Sequence, residues 1–279
     1  MSAELLLMGV TLAALGAASY SDLRTKEVPD WLNYGFVFAA LGIRAIYSFQ
    51  EGWQYLLSGI LGFAVFYILA LLFYYTNQWG GGDSKLLMGM GAALGITFPF
   101  KSSSFTLLWF FLALLAVGAV YGMVWLGVIA FQKRKCLVPE LRLLLQKRKK
   151  VHVMVGFTSI FLTGAGIWVN SFLLILVFLI LLYYIMLFLV AVQTCCFVSE
   201  KETKHLLEGD WLAEDVVVHG RKLMKKKTLY KEDIQKLRDL NISSVAIKEG
   251  IPFTPAFLLG YLVLILGGDT VSSILQKIF

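Results

Sequence analysis

The stretch Trp79-Gly80-Gly81-Gly82-Asp83-Ser84-Lys85 opens an apolar run that begins at Leu86. It places an acidic side chain at the edge of a membrane-type segment. An ionisable group at that depth is costly without a partner, and it therefore indicates a functional site. The candidate partner is Asp22, which ends the first apolar run. We predict that Asp22 and Asp83 form a catalytic pair at a membrane surface.

The composition indicates an all-α polytopic membrane protein with a small cytoplasmic α/β insert. The chain has 279 residues, of which 58% are hydrophobic and only 15% are charged, and its mean hydropathy is +0.75. Soluble domains are normally about a quarter charged. A crossing helix needs about 20 apolar residues. Eight crossings are predicted near residues 3–20, 32–49, 54–76, 86–100, 104–131, 152–169, 171–196 and 252–275.

The distribution of Lys and Arg predicts the orientation of these crossings. Four segments hold 22 of the 25 basic residues, and they are 21–31, 77–85, 132–151 and 197–251. Basic loops stay on the cytoplasmic side, so these segments are predicted to be cytoplasmic loops and the amino terminus to lie outside. The pI near 9.2 then describes a multi-pass protein of the cytoplasmic membrane that faces anionic lipids, not nucleic acid. Asp22 and Asp83 fall on the same, cytoplasmic side.

Changes in composition predict three parts. Residues 1–198 form a transmembrane helical domain that carries both aspartates, 199–250 form the insert, and 251–279 form the final transmembrane helix. In the insert, we predict a helix over 228–240, with Thr228 as its N-cap, and a strand over 244–247. The region 152–196 fits either two helices in a tight hairpin or one broken helix.

The sequence gives no indication of a metal site or another cofactor. The cysteines are Cys136, Cys195 and Cys196, and the histidines are His152, His205 and His219. The cysteines form neither a disulfide framework nor a pair with zinc-ligand spacing, and the histidines share no ligand spacing. We therefore expect no disulfide, no metal and no cofactor.

The last predicted crossing begins with an unusual proline pattern, Pro252-Phe253-Thr254-Pro255-Ala256-Phe257. Two prolines three residues apart resist regular helix, although proline is tolerated in a first helical turn. The pattern fits a plain helix start. It also fits a kinked entry that faces a substrate on the side of the aspartates.

Together, Asp22 after an apolar helix, the GxGD motif Gly80–Asp83 and the proline pattern resemble the archaeal preflagellin and type IV prepilin peptidases. The resemblance extends over nearly the whole chain, and Glu208-Gly-Asp-Trp211 in the insert contributes to it. These are GxGD membrane aspartic proteases. The resemblance implies an endopeptidase that cleaves basic leader peptides from type IV pilin-like or archaellin precursors. Because the chain lacks a tetracysteine zinc region and a glycine-rich nucleotide signature, we expect proteolysis without methyl transfer.

In such an enzyme one ionised aspartate activates water, while the other, protonated, polarises the scissile carbonyl. Two adjacent carboxylates share one proton, and the sequence leaves open which of Asp22 and Asp83 is the base. Gly80, Gly81 and Gly82 are predicted to permit unusual backbone angles and to admit an extended substrate, with an ordinary interhelical turn as the alternative.

Further substrate contacts are predicted at Glu27, Asp30, Pro252, Phe253 and Pro255. Glu27 and Asp30 would meet the basic residues of a leader, or Asp30 would cap the second helix. Lys85 has three candidate roles: pairing with Asp83, binding a lipid phosphate, or anchoring the topology.

Two other functions fit a polytopic chain. A transporter also carries carboxylates at a membrane edge, but it more often shows repeated halves, and no repeat is evident here. A membrane scaffold with a cytoplasmic insert would not need two aspartates on one face.

Overall fold

The computed structural model describes residues 2–76, 78–97, 102–168, 174–218, 221–248 and 250–267. The chain forms two compact units, one built from Met1–Val124 with Ile251–Phe279 and the other from Trp125–Gly250. The predicted boundaries at 198 and 251 separate transmembrane parts from a cytoplasmic part. The division into two units does not test that separation, so these boundaries remain predictions.

Helices dominate the first unit. They are α1 (Ala3–Thr25), α2 (Asp30–Glu51), α3 (Trp53–Tyr75), α4 (Gly81–Leu94), the greater part of α5 (Thr106–Gln132) and α10 (Thr254–Leu266). Helices α1, α2, α3 and α5 are long and apolar enough to cross a membrane, and they are the four candidate spans in the described part of the chain. A mainly helical membrane protein is thus supported, and the count of eight crossings stays a prediction. The end of the predicted crossing 252–275 lies outside the described residues.

Small residues allow α3 and α4 to pack backbone against backbone. A Cβ atom added to Gly91 would collide with the carbonyl group of Gly62. The ring of Phe36 in α2 occupies the space that a side chain at Gly89 would need. Close approach of this kind is typical of helices packed in lipid. It fixes α4, and with it Asp83, against α2 and α3.

A buried arginine holds the carboxyl end of α4. Arg44 in α2 is 5% exposed, and it donates hydrogen bonds to the carbonyl oxygens of Ala92 (2.9 Å) and Ala93 (2.7 Å) and to Ser58 Oγ (2.6 Å). The last carbonyl groups of a helix have no partner within the helix. Arg44 supplies that partner.

The second unit begins with the end of α5 and three further helices: α6 (Arg134–Lys147), α7 (Lys149–Trp168) and α8 (Leu174–Cys196). The segment 132–151, predicted to be a cytoplasmic connection between crossings, contains α6, and its side of the membrane stays a prediction. The apolar residues of α6 recur at helical spacing between the charges, and Leu137 is buried. The connection between α7 and α8 lies outside the described residues, so the choice between two helices and one broken helix stays open.

A disulfide joins α6 to α8, which corrects the expectation that the cysteines form none. Cys136 and Cys195 are bonded, with their Cα atoms 6.0 Å apart. Packing of α6 against α8 brings together two residues that are 59 positions apart in the chain. Sequence spacing alone does not reveal such a pair.

The rest of the second unit is a small α/β structure, as predicted from its composition. Its strands are β1 (Val198–Glu202), β2 (Trp211–Leu212), β3 (Val216–Val218), β4 (Arg221–Met224) and β5 (Ser244–Lys248), and its helix is α9 (Lys231–Asp239). An antiparallel sheet has the order β1-β5-β2, and β3 pairs with β4. The N-cap of α9 is Tyr230 and not Thr228, because Thr228 forms a β-bridge with Trp211. The strand predicted over 244–247 is confirmed as β5.

Candidate active site

Three helix ends in the first unit carry the candidate site. Asp22 lies in the last turn of α1 and is only 6% exposed. Asp83 lies in the first turn of α4, whose N-cap is Gly80. The apolar run predicted a crossing from residue 86, but the helix begins at Gly81, so Asp83 belongs to it. A carboxylate in the first turn is favourable, because the unpaired amides there carry partial positive charge.

Thr254, the first residue of α10, contacts both aspartates. Its backbone N–H donates a hydrogen bond to Asp22 Oδ2 (2.9 Å), and its hydroxyl donates one to Asp83 Oδ1 (3.1 Å). Thr254 is completely buried. The two carboxylates therefore converge on one residue from two different helices.

Thr254 lies within the proline pattern, where no role was predicted for it, and its neighbours explain why it is well placed. Phe253 is the N-cap of α10, and Pro255 follows at the second helical position. The Ala256 N–H is satisfied by the Phe253 carbonyl (2.9 Å), and Pro255 has no N–H. The N–H group of Thr254, which is also in the first turn, donates its hydrogen bond to Asp22. The sequence feature that could have pointed to Thr254 is a hydroxyl residue between two prolines.

An aromatic cluster joins the start of α10 to the segment that precedes α4. The centroid of the Trp79 ring lies 5.6 Å from that of Phe253 and 5.5 Å from that of Phe257. Trp79 also stacks on Phe73, with 4.6 Å between the ring centroids. Gly118 in α5 leaves room for Phe253, since a Cβ there would lie 2.7 Å from the ring. These contacts hold Thr254 and Asp83 in one packed region.

The three glycines adopt ordinary backbone angles, which corrects the expectation of unusual ones. Gly80 is extended, with φ −68° and ψ 162°, and Gly81 and Gly82 begin α4. Their small size still matters. A Cβ at Gly82 would lie 3.3 Å from Val28, and one at Gly80 would lie 3.7 Å from Asp83 Oδ2. Of the three glycines, only Gly80 thus has its missing side chain next to the Asp83 carboxylate.

The two acidic candidates, Glu27 between α1 and α2 and Asp30 at the start of α2, are exposed. Asp30 pairs with Lys85 Nζ at 2.5 Å, which links α2 to α4. Lys85 thus pairs with Asp30, and not with Asp83 as one of its predicted roles required. Asp30 does not cap α2, because it is the first helical residue and Pro29 is the N-cap. The backbone carbonyl of Glu27 accepts a hydrogen bond from Ser21 Oγ (2.8 Å).

The proline pattern gives a helix start with Pro255 in the first turn, which is the first of its two predicted forms. Pro252 and Pro255 are buried, and Phe253 is partly buried. Contact between these residues and a substrate remains a prediction. Among the described residues, no group of three or more His, Cys, Asp or Glu side chains is placed to hold a metal ion.

Residues 9–123 match the model of the type IV leader peptidase family, and this segment contains both Asp22 and Asp83. The similarity is to the type IV leader peptidases. A preflagellin peptidase of Methanococcus voltae is 32% identical over 96 residues, which are 34% of this chain and 41% of that protein. One of Methanocaldococcus jannaschii is 33% identical over 78 residues, covering 28% of this chain and 33% of the relative.

A preflagellin peptidase of Methanococcus maripaludis is 37% identical over 87 residues, covering 29% of this chain and 36% of the relative. The chain thus matches about two fifths, or less, of the length of these curated leader peptidases. No solved structure matches the chain. The segment matched to the leader peptidase family ends before α10, so the contacts of Thr254 come from the structure alone.

Proposed function

We propose that this protein is a membrane-embedded aspartic endopeptidase that removes basic leader peptides from type IV prepilin-like or preflagellin precursors. The observation that carries the mechanism is the convergence of Asp22 and Asp83 on Thr254. The similarity to leader peptidases supports the reaction class. The preponderance of basic residues in the predicted cytoplasmic segments supports cleavage at the cytoplasmic face of the cell membrane.

In the proposed reaction, the ionised member of the pair accepts a proton from water as the water oxygen attacks the scissile carbonyl carbon. The protonated member gives its proton to the carbonyl oxygen, and a tetrahedral gem-diol forms. Its collapse breaks the C–N bond: the carboxyl group that took up the water proton gives it to the leaving amine, and one gem-diol hydroxyl returns its proton to the other carboxylate. The products are a free carboxyl group on the leader and a free amino terminus on the mature protein. The pair ends as it began, with one shared proton.

The surroundings of the pair suit a basic, extended substrate. Gly80, Gly81 and Gly82 offer backbone without side chains beside Asp83, so an unfolded segment approaches it closely. Glu27 and Asp30 are exposed acidic groups near the end of α1, and in our proposal they attract the basic leader. Pro252, Phe253 and Pro255 then line the opposite side of the substrate path. The proposed activity does not include methyl transfer. The proposed binding partners of the protein are membrane lipids and the precursor.

The test is cleavage of a panel of prepilin-like precursors by the full chain reconstituted in lipid vesicles. Asp22→Asn and Asp83→Asn keep the shape of each side chain and remove its charge. Loss of one member of a catalytic unit lowers kcat by about a thousandfold or more. We therefore expect each variant to insert normally and to lose cleavage to at least that extent.

Asp239→Asn is the matched control, because Asp239 is an exposed aspartate at the end of α9. This variant is expected to cleave like wild type. Near-wild-type cleavage by either Asp22→Asn or Asp83→Asn would refute the two-carboxylate mechanism. Failure of the wild-type chain to cleave any precursor would refute the proposed function.

A further inference from the structure

We infer that Thr254 is a positioning residue that holds the two carboxylates in a single catalytic arrangement, through its backbone N–H to Asp22 and its hydroxyl to Asp83. This inference rests on the proposed function. It goes beyond that function, because no motif or relative considered above assigns a role to this threonine.

The two groups of Thr254 differ in what they can do. A backbone N–H only donates, so Asp22 Oδ2 stays an acceptor throughout the reaction. A hydroxyl rotates, and it can donate to a carboxylate or accept from a carboxylic acid. The hydroxyl therefore serves Asp83 in both protonation states. Such a partner stays bonded to Asp83 whether or not that aspartate carries the shared proton.

The position of Thr254 is fixed from several directions. It is completely buried, and it begins a helix that packs against α1. The ring of Pro255 fixes the φ angle of the next residue, and the ring of Phe253 on the amino side packs against Trp79. Catalytic groups must be held within about 0.5 Å of a productive geometry by residues that are themselves locked in place. Burial and these neighbours hold Thr254 in place beside both aspartates.

The experiment compares Thr254→Val with Thr254→Ser in the full chain, reconstituted in lipid and assayed on a cleaved precursor. Valine has the shape of threonine, lacks the hydroxyl and keeps the N–H bond to Asp22, whereas serine keeps both bonds. Loss of a hydrogen bond to a charged group corresponds to roughly a ten- to hundredfold effect. We expect kcat of Thr254→Val to fall by this factor while KM changes less than about twofold. Thr254→Ser is expected to stay within a few-fold of wild type.

Thr203→Val is the matched control. Thr203 is also buried, but it lies in the second unit, where its hydroxyl donates to the Ile242 carbonyl. This variant is expected to keep wild-type kcat and KM. Thermal unfolding of each variant establishes that it is folded, and Thr254→Ala provides the same comparison if the valine variant does not fold.

Three results would overturn the inference: wild-type kcat in Thr254→Val, an equal loss in the serine and valine variants, or a loss confined to KM. Asp22→Asn and Asp83→Asn are assayed in the same series. If both are inactive while Thr254→Val is fully active, only the role of Thr254 fails. If either aspartate variant is active, the proposed mechanism itself fails.

Discussion

Arg44 is the residue whose removal we expect to destabilise the first unit most clearly. Its side chain lies within a candidate membrane span, where an unpaired charge is costly. Here carbonyl oxygens at the end of α4 and Ser58 Oγ surround it. Arg44→Met leaves these buried acceptors without a donor, and each such group costs about 1–3 kcal/mol. We expect the free energy of unfolding to fall by at least about 2 kcal/mol.

Thermal and denaturant unfolding in detergent measure the effect. Arg142→Met is the control, because Arg142 is exposed on α6, and such substitutions usually stay within about 0.5 kcal/mol of wild type. Equal stability of the Arg44 and Arg142 variants would show that the carbonyl contacts of Arg44 contribute little.

Among individual residues, the sequence reveals those whose chemistry conflicts with their surroundings. Asp22 and Asp83 stand out because they are acidic groups next to apolar runs. Thr254 does not stand out, because threonine is common at helix starts and its two partners lie far away in the chain. The pairing of Lys85 with Asp30 was missed for a similar reason, since it depends on how α2 and α4 are aligned.

Among the helices, the contact between α3 and α4 depends on glycine. Gly91→Ala places a methyl group against the Gly62 carbonyl, and a backbone atom does not move aside as a flexible side chain does. Overpacking of this kind costs about 1–3 kcal/mol, and we expect a lower thermal midpoint and reduced precursor cleavage. Gly16→Ala is the control, because nothing lies within 4 Å of a Cβ at that position in α1. A Gly91→Ala variant as stable as Gly16→Ala would contradict the tight packing.

Helix boundaries follow the sequence where hydropathy alone decides them. The predicted crossings 32–49 and 54–76 lie within two residues of α2 and α3. Helix α1 continues five residues beyond the predicted end at residue 20, because polar residues remain helical at a membrane edge. Helix α6 was missed because its many charges suggested a loop, although its apolar residues have helical spacing.

For the whole molecule, composition predicts a mainly helical membrane protein with a small α/β structure. The described residues provide four candidate spans, and the sidedness of the chain rests on the distribution of Lys and Arg. The first unit by itself contains Asp22, Asp83 and Thr254. Sequence patterns predict the two aspartates, but contacts between distant helix ends are needed to add the third residue.

The most direct test that Asp22 and Asp83 act as one catalytic pair compares Asp22→Asn, Asp83→Asn and the double variant in one cleavage assay. Residues that act as one catalytic unit show strongly non-additive losses. We predict that the double variant is no less active than the more damaged single variant, within about threefold. Losses that multiply in the double variant would contradict a single Asp22–Asp83 pair and show two independent contributions.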